Sequence, residues 1–175
     1  MNFLMLDGKG DPNTSQSFID AIEALYPVAY SLKFTAKRKK GIDYGVMPLE
    51  GLWWADDMSS FSEAKIDEWK WTLMIMQPEF ITSGMVEEAI KEVAMKKGPV
   101  SLPLVRSEAF REGKAAQIMH IGPFSEEGPT IEKVHSFIES SGCSRVGKHH
   151  EIYLSDMRRT APEKWKTIVR QPMAP

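Results

Sequence analysis

Two short segments hold residue types that could do chemistry. HHEIYLSD, His149 to Asp156, reads as a strand. Period-two alternation puts His149, Glu151 and Tyr153 on one face and His150, Ile152 and Leu154 on the other. Among aromatic side chains the Glu151 carboxylate would be partly desolvated, which raises its pKa. It could then meet a cationic ligand or serve as a general base. Ile152 and Leu154 read as the core side, under helices, leaving Glu151 and Tyr153 for the opposite, concave side near the middle of a sheet. An exposed carboxylate on a solvated face would show the same pattern. The second segment is MPLEGLWWADD. Trp53 and Trp54 are consecutive, so one faces each side of a strand, one toward the core and one toward a cleft. Setting Asp56 against Asp156 matches Trp53 with Tyr153 and favours Trp53. A shift of one residue favours Trp54, so both stay candidates. Glu50 is a second candidate carboxylate, equally readable as an edge residue beside a bend at Pro48.

Other catalytic signatures are missing. The chain has no Gly-rich phosphate loop, no GxSxG, no HExxH and no Cys/His cluster with metal spacing, so neither a metal nor a cofactor is expected. His149 and His150 are neighbours and on a strand would point to opposite faces. His120 and His135 each stand alone. A structural role is the plainer reading for both, with His120 kept among the ligand-side candidates. The one cysteine, Cys143, permits no intrachain disulfide and suits a reducing compartment.

These residues need elements to position them. Phe3 to Leu6 reads as a strand, followed by the turn-rich DGKGDPNTS. Thr14 or Ser15 can cap a helix with Phe18, Ile22 and Leu25 at helical spacing, kinked or restarted at Pro27 and stopped by Gly41. Tyr44 to Trp54 is a strand region broken by Pro48 and Gly51. Residues 55–68 form a connecting loop and Trp69 to Met76 a strand. Pro78 to Lys97 is an amphipathic helix. Leu104 to Arg111 and Lys114 to Ile121 read as two strands joined by a tight turn at Glu112-Gly113. Thr130 to Ser140 is helical, His149 to Leu154 a strand, and Trp165 to Arg170 the closing strand.

The order repeats. FLMLDGKGDPN to WKWTLMIMQP stands against AAQIMHIGPFSEEG to EKWKTIVRQP, both ending in Gln-Pro, with Trp71 answering Trp165. The expected fold is therefore α+β: two tandem strand-helix-strand-strand modules, about 1–98 and 99–175, in one domain covering 1–175. One curved antiparallel sheet would carry helices on its convex face and a ligand groove on its concave face.

Composition bounds the function classes. The chain has 175 residues, 42% hydrophobic and 26% charged, as a soluble globular protein would. A net charge of -2 gives no basic field for nucleic acid. KFTAKRKK, Lys33 to Lys40, is the one dense basic run and reads as a solvated helix end. No stretch approaches a membrane span or a signal peptide, so the expected location is cytoplasmic. The 11 Met and 5 Trp suit a pocket for a large, flat, apolar ligand as well as a packed core.

At YGVMPLEGLWWADD, MIMQPEFIT, AAQIMHIGPFSEEGPTIEKVHSFI and HHEIYLSDMRRTAPEKWKTIVRQP the chain resembles a stand-alone GyrI-like small-molecule-binding domain. These segments span nearly the whole chain. Met157 stands where such proteins often have Pro, a change in a turn. The resemblance implies a duplicated module that binds flat lipophilic, often cationic, compounds through an acidic residue and aromatic stacking. The matching acid is Glu151, beside Tyr153. No helix-turn-helix precedes the domain, so a transcription regulator is not expected. Relatives with the PLEGLWW type of sequence resemble hydrolases that open the cyclopropane of flat, DNA-alkylating natural products. On that likeness Glu151 would activate water and Tyr153 would orient it or polarise a carbonyl. Trp53, Trp54, Trp71 and Met47 would form the aromatic slot. The choice of base between Glu50 and Glu151 stays open. The expected partner is a planar lipophilic small molecule, cationic in some relatives, with no nucleic acid or membrane and a monomer or weak homodimer. The competing classes are a non-catalytic sequestering protein and a protein-interaction inhibitor.

Overall fold

A computed structural model describes residues 1–56, 63–96 and 98–175. The middle of the loop expected at 55–68, and Lys97 at the expected helix end, lie outside the described residues. The fold is α+β. Its strands are β1 (Asn2–Lys9), β2 (Leu49–Trp54), β3 (Lys70–Gln77), β4 (Arg106–Ala109), β5 (Ala115–Ile121), β6 (Ser144–Arg145), β7 (His149–Tyr153) and β8 (Lys166–Ala174). Its helices are α1 (Gln16–Lys40), α2 (Ser83–Met95) and α3 (Gly128–Ser140). The chain divides into two compact units, one of residues 1–47 and 54–110, the other of residues 48–53 and 111–175.

In the first unit β1 pairs antiparallel with β3, Gly8 opposite Trp71 and Leu4 opposite Ile75, and with β4, Leu4 opposite Ser107. Helix α1 packs on β1 and β3 and against α2. Leu25, Val28 and Leu32 from α1 are fully buried, as are Leu4, Leu73 and Ile75 from the strands. Of the kink or restart expected at Pro27, the restart does not occur: a single helix runs through it. Proline removes one helical hydrogen bond, but Ala24, Leu25, Val28 and Ala29 around it are all buried, and that packing outweighs the lost bond. Gly41 ends α1 in the left-handed region at φ 68°. The second helix begins at Ser83 rather than Pro78, where the Thr82 side chain accepts the Met85 N–H.

The second unit holds β2, β7, β8 and β5 side by side in that order, with β6 on the end of β8. Every pair is antiparallel. Strand β2 is therefore borrowed: it lies in sequence among first-unit elements and pairs within the second unit. Gly51 interrupts nothing; it lies inside β2, opposite Glu151. The hairpin expected at Glu112-Gly113 does not form. Strand β4 pairs with β1, whereas β5 pairs with β8. The two strands pair with different partners and belong to different units, so the short turn signal does not close a hairpin.

Helix α3 covers one face of this second set of strands. Val134 and Ile138 pack on Ala116, Val169 and Met173. Register carries that face across the strands: Ala116 is opposite Gln171, Val169 opposite Glu151, and Glu151 opposite Gly51. Paired residues of antiparallel strands share a side. Glu151 and Tyr153 thus face the α3 side, the reverse of the expectation that Ile152 and Leu154 would lie under the helices. Burial explains the misreading. His149, His150 and Ile152 of β7 are all buried, so hydrophobicity does not mark one face. Among the described residues no helix is long and apolar enough to cross a membrane.

Candidate functional site

Glu151 lies at the centre of the β2–β7 pair. Leu49 is opposite Tyr153, Gly51 opposite Glu151, and Trp53 opposite His149. All six side-chain positions point to the α3 side. Gly51 is required there. A Cβ at that position would come 2.6 Å from the Trp53 indole nitrogen and 3.0 Å from the Tyr153 hydroxyl. Without it the indole and phenol close over the backbone beside the carboxylate.

The hydrogen bonds form a chain. Trp53 Nε1 donates to the Tyr153 hydroxyl at 3.1 Å. Tyr153 in turn donates to Glu151 Oε2 at 2.8 Å. The other carboxylate oxygen, Oε1, lies 2.9 Å from His149 Nε2, which donates. The Glu151 side chain is 13% exposed, so the carboxylate is sheltered. Burial pushes its pKa up, but the hydrogen bonds from His149, Tyr153 and Glu127 outweigh burial and hold it below the usual value. It is an anion at neutral pH, not the raised carboxyl the sequence suggested. Tyr153 is held well above the ordinary phenol value, first by burial and then by the charge of Glu151, so it remains a hydrogen-bond donor.

A second carboxyl completes the arrangement, and sequence reading did not find it. Glu127 occupies the position just before α3, where Gly128-Pro129 opens the helix. Its side chain is buried, with Oε1 lacking any partner among the described residues. It sits against the Glu151 carboxylate, with Thr167 alongside. Burial first, and then the charge of Glu151, push its pKa up to about 9. Glu127 is therefore a neutral acid beside an anionic carboxylate. The signal in the sequence was the EEGPT run: an acid directly ahead of a helix start. Two aromatics close the neighbourhood. Phe124 meets Tyr153 edge-on at 5.7 Å, and Trp165 lies 5.1 Å from Phe124.

The other sequence-selected residues lie elsewhere. Glu50 is on the opposite side of β2 from Glu151, buried, with Oε2 2.9 Å from His150 Nε2. The same imidazole reaches Glu112 through Nδ1 at 2.8 Å, and Arg170 binds Glu112 at 3.2 Å. Burial lowers the His150 pKa, but the two carboxylates outweigh it and raise it overall. Glu50 thus belongs to a buried clamp and does not meet Glu151. His120 uses both ring nitrogens inside the protein, on Thr130 Oγ1 at 3.0 Å and the Pro123 carbonyl at 3.2 Å. It ties down the turn that carries Phe124 and Glu127. Trp71 is fully buried in the first unit, edge-on to Phe18 at 5.2 Å and above Gly8. Its surroundings are those of core packing rather than a ligand slot. Trp54 and Met47 are half-buried first-unit residues. A separate groove of about 400 Å³ in the first unit is lined by Tyr30, Phe34, Arg38, Glu92 and Lys96, and none of the sequence-selected residues lines it.

The α+β fold of antiparallel strands thus brings a sheltered carboxylate, a phenol and an indole together on one strand pair, linked by hydrogen bonds. The chain belongs to the GyrI-like small molecule binding domain family, whose model matches residues 1–173. It is similar to the crystal structure of an uncharacterized conserved protein from Listeria innocua, at 42% identity and TM-score 0.92, over 99% of this chain and 88% of that one. It is also similar to a hydrolase from Listeria innocua, at 40% identity and TM-score 0.85, over 99% of this chain and 87% of that one. The EcmrR C-terminal domain shares the fold at 11% identity and TM-score 0.61, over 99% of this chain and 90% of that one. No curated protein matches the sequence.

Proposed function

We propose that the protein is a hydrolase of flat, lipophilic compounds bearing an electrophilic cyclopropane conjugated to a carbonyl, acting as a detoxifying enzyme. The observation that carries this reading is the Glu151 carboxylate. It is anionic, sheltered, and fixed between His149 at 2.9 Å and Tyr153 at 2.8 Å. A carboxylate in that state can take a proton from water, and a phenol beside it can orient the water. Trp53, Tyr153 and Phe124 offer flat faces for the ligand. The similarity to a hydrolase from Listeria innocua, at 40% identity, agrees with hydrolysis as the reaction class.

In the reaction, water oxygen attacks the ring methylene. The carbon–carbon bond of the cyclopropane breaks, and its electron pair moves through the conjugated system to the carbonyl oxygen. Glu151 receives the proton lost by water. The product is a ring-opened alcohol, and the relief of ring strain drives the step. The test is incubation with a cyclopropyl-dienone alkylator, following the ring-opened product by mass spectrometry. Turnover above buffer is expected for the wild type. Glu151→Gln should lose about a hundred- to ten-thousand-fold in rate. A wild type no faster than buffer, or a fully active Glu151→Gln, would sink the proposal.

A second reading, sequestration of planar cations without chemistry, draws on the same anion among aromatic rings. It expects Glu151→Gln to weaken binding of a cationic dye by about 1–2 kcal/mol while leaving a neutral dye of the same shape unaffected.

A further inference from the structure

Beside Glu151 stands a carboxyl that the reaction above leaves unused. Glu127 is held just ahead of α3 by the turn that His120 secures from β5. Its side chain is buried and set against the Glu151 carboxylate, and its Oε1 is without a partner among the described residues. An unpaired buried oxygen costs stability, so a position that keeps one invites a functional reading. Two buried carboxyls set against each other cannot both be ionised in such surroundings; they hold one proton between them. Burial raises the Glu127 pKa, whereas the Glu151 oxygens already accept from His149 and Tyr153, so the shared proton belongs on Glu127.

Resting on the ring-opening reading, we propose that Glu127 is a second catalytic residue, the general acid that protonates the ligand's carbonyl oxygen as the cyclopropane opens. The proton count closes. Water gives its oxygen to the ring methylene and one proton to Glu151. The electron pair of the broken carbon–carbon bond reaches the carbonyl oxygen, which takes the proton of Glu127. The pair ends with its proton on the other member, and transfer from Glu151 back to Glu127 restores the starting state. No outside acid, base or metal is consumed. The titratable groups that act on Glu127 are Glu151 and Tyr153 on β7, and Thr167 on β8 lies alongside. The neutral state of Glu127 up to about pH 9 agrees with this role.

The experiment measures kcat/KM against pH for the wild type and Glu127→Gln, with the mutant's fold checked by circular dichroism. Gln keeps the shape and can still donate to Glu151 but cannot release a proton. The expected wild-type profile falls on the alkaline side near pH 9, the value to which Glu127 is raised. Glu127→Gln should lose about a hundred- to ten-thousand-fold and lack that alkaline fall. A mutant with wild-type rate, or one that keeps the alkaline fall, overturns the proposal. Infrared titration of the wild type is the second readout and needs neither a variant nor turnover. A protonated carboxyl stretch should persist at neutral pH and vanish as the pH passes about 9. Its absence at neutral pH overturns the shared proton. Absence of wild-type turnover with the stretch present overturns the hydrolase reading and, with it, the acid role of Glu127.

Discussion

Gly51 shows how much a single residue can decide. It lies opposite Glu151, and the Trp53 indole and the Tyr153 hydroxyl both press on the space where its Cβ would be. Indole, phenol and carboxylate are linked by two hydrogen bonds that depend on this closeness. Gly51→Ala should push the indole off its phenol partner. Overpacking of this kind costs about 1–3 kcal/mol. The variant should therefore melt earlier and lose activity out of proportion to its stability loss, measured by thermal unfolding beside a rate assay. An unchanged melting temperature with unchanged rate would contradict the geometry. The alternation of Glu151 with Tyr153 was legible in the sequence. The value of Gly51 was not, because LEGLWW reads the same whether or not an indole folds back over its own strand. Glu127 was missed for a related reason: its distance to Glu151 is made by α3 and the turn before it, 24 residues upstream in the chain.

The strand pair β2–β7 carries different cargo on its two sides. One side presents Glu151, Tyr153 and Trp53. The other buries His150 between Glu50 and Glu112, with Arg170 on Glu112. The clamp joins β2, β7, β8 and the loop before β5, so it fixes the strand register on which the Glu151 side depends. Its pH dependence follows from the shifts. The His150 pKa is raised above its ordinary 6.5, so its contribution is complete below that value and is lost as pH rises through the raised one. The Glu112 pKa is lowered from 4.5: burial opposes this, but His150 and Arg170 prevail. Its contribution is complete above 4.5 and is lost as pH falls through the lowered value. Both contributions are whole between about 4.5 and 6.5. Replacing His150 by Gln leaves two buried carboxylates facing a neutral amide and should cost about 3–5 kcal/mol. Denaturant unfolding at pH 6 should show this gap, and the gap should narrow at alkaline pH. A gap that widened with pH would contradict the clamp. Sequence reading placed His150 and Glu50 on strands correctly but set Glu50 among ligand candidates, since a buried ion cluster and an active-site cluster use the same residue types.

Across the molecule the duplication seen in the sequence is visible within each unit. The first and last strands of each copy pair directly, β1 with β3 and β5 with β8. Each closing tryptophan meets the aromatic near the start of its helix, Trp71 on Phe18 at 5.2 Å and Trp165 on Phe124 at 5.1 Å. Element order and fold class were legible because each copy repeats its turn and cap signals. The lending of β2 to the second unit was not, because strand partners distant in sequence leave no local mark. That exchange puts Gly51 and Trp53 beside Glu151, and the copies differ there: a glycine in one, a glutamate in the other. The central claim is that Glu151 acts on water as a base rather than attacking the ligand itself. A single turnover in heavy-oxygen water tests it, with excess protein over a cyclopropyl-dienone ligand. Heavy oxygen should appear in the new alcohol of the product and nowhere in the protein. Light oxygen in the product, with the heavy label recovered in the Glu151 carboxyl, would show a covalent ester and contradict the account.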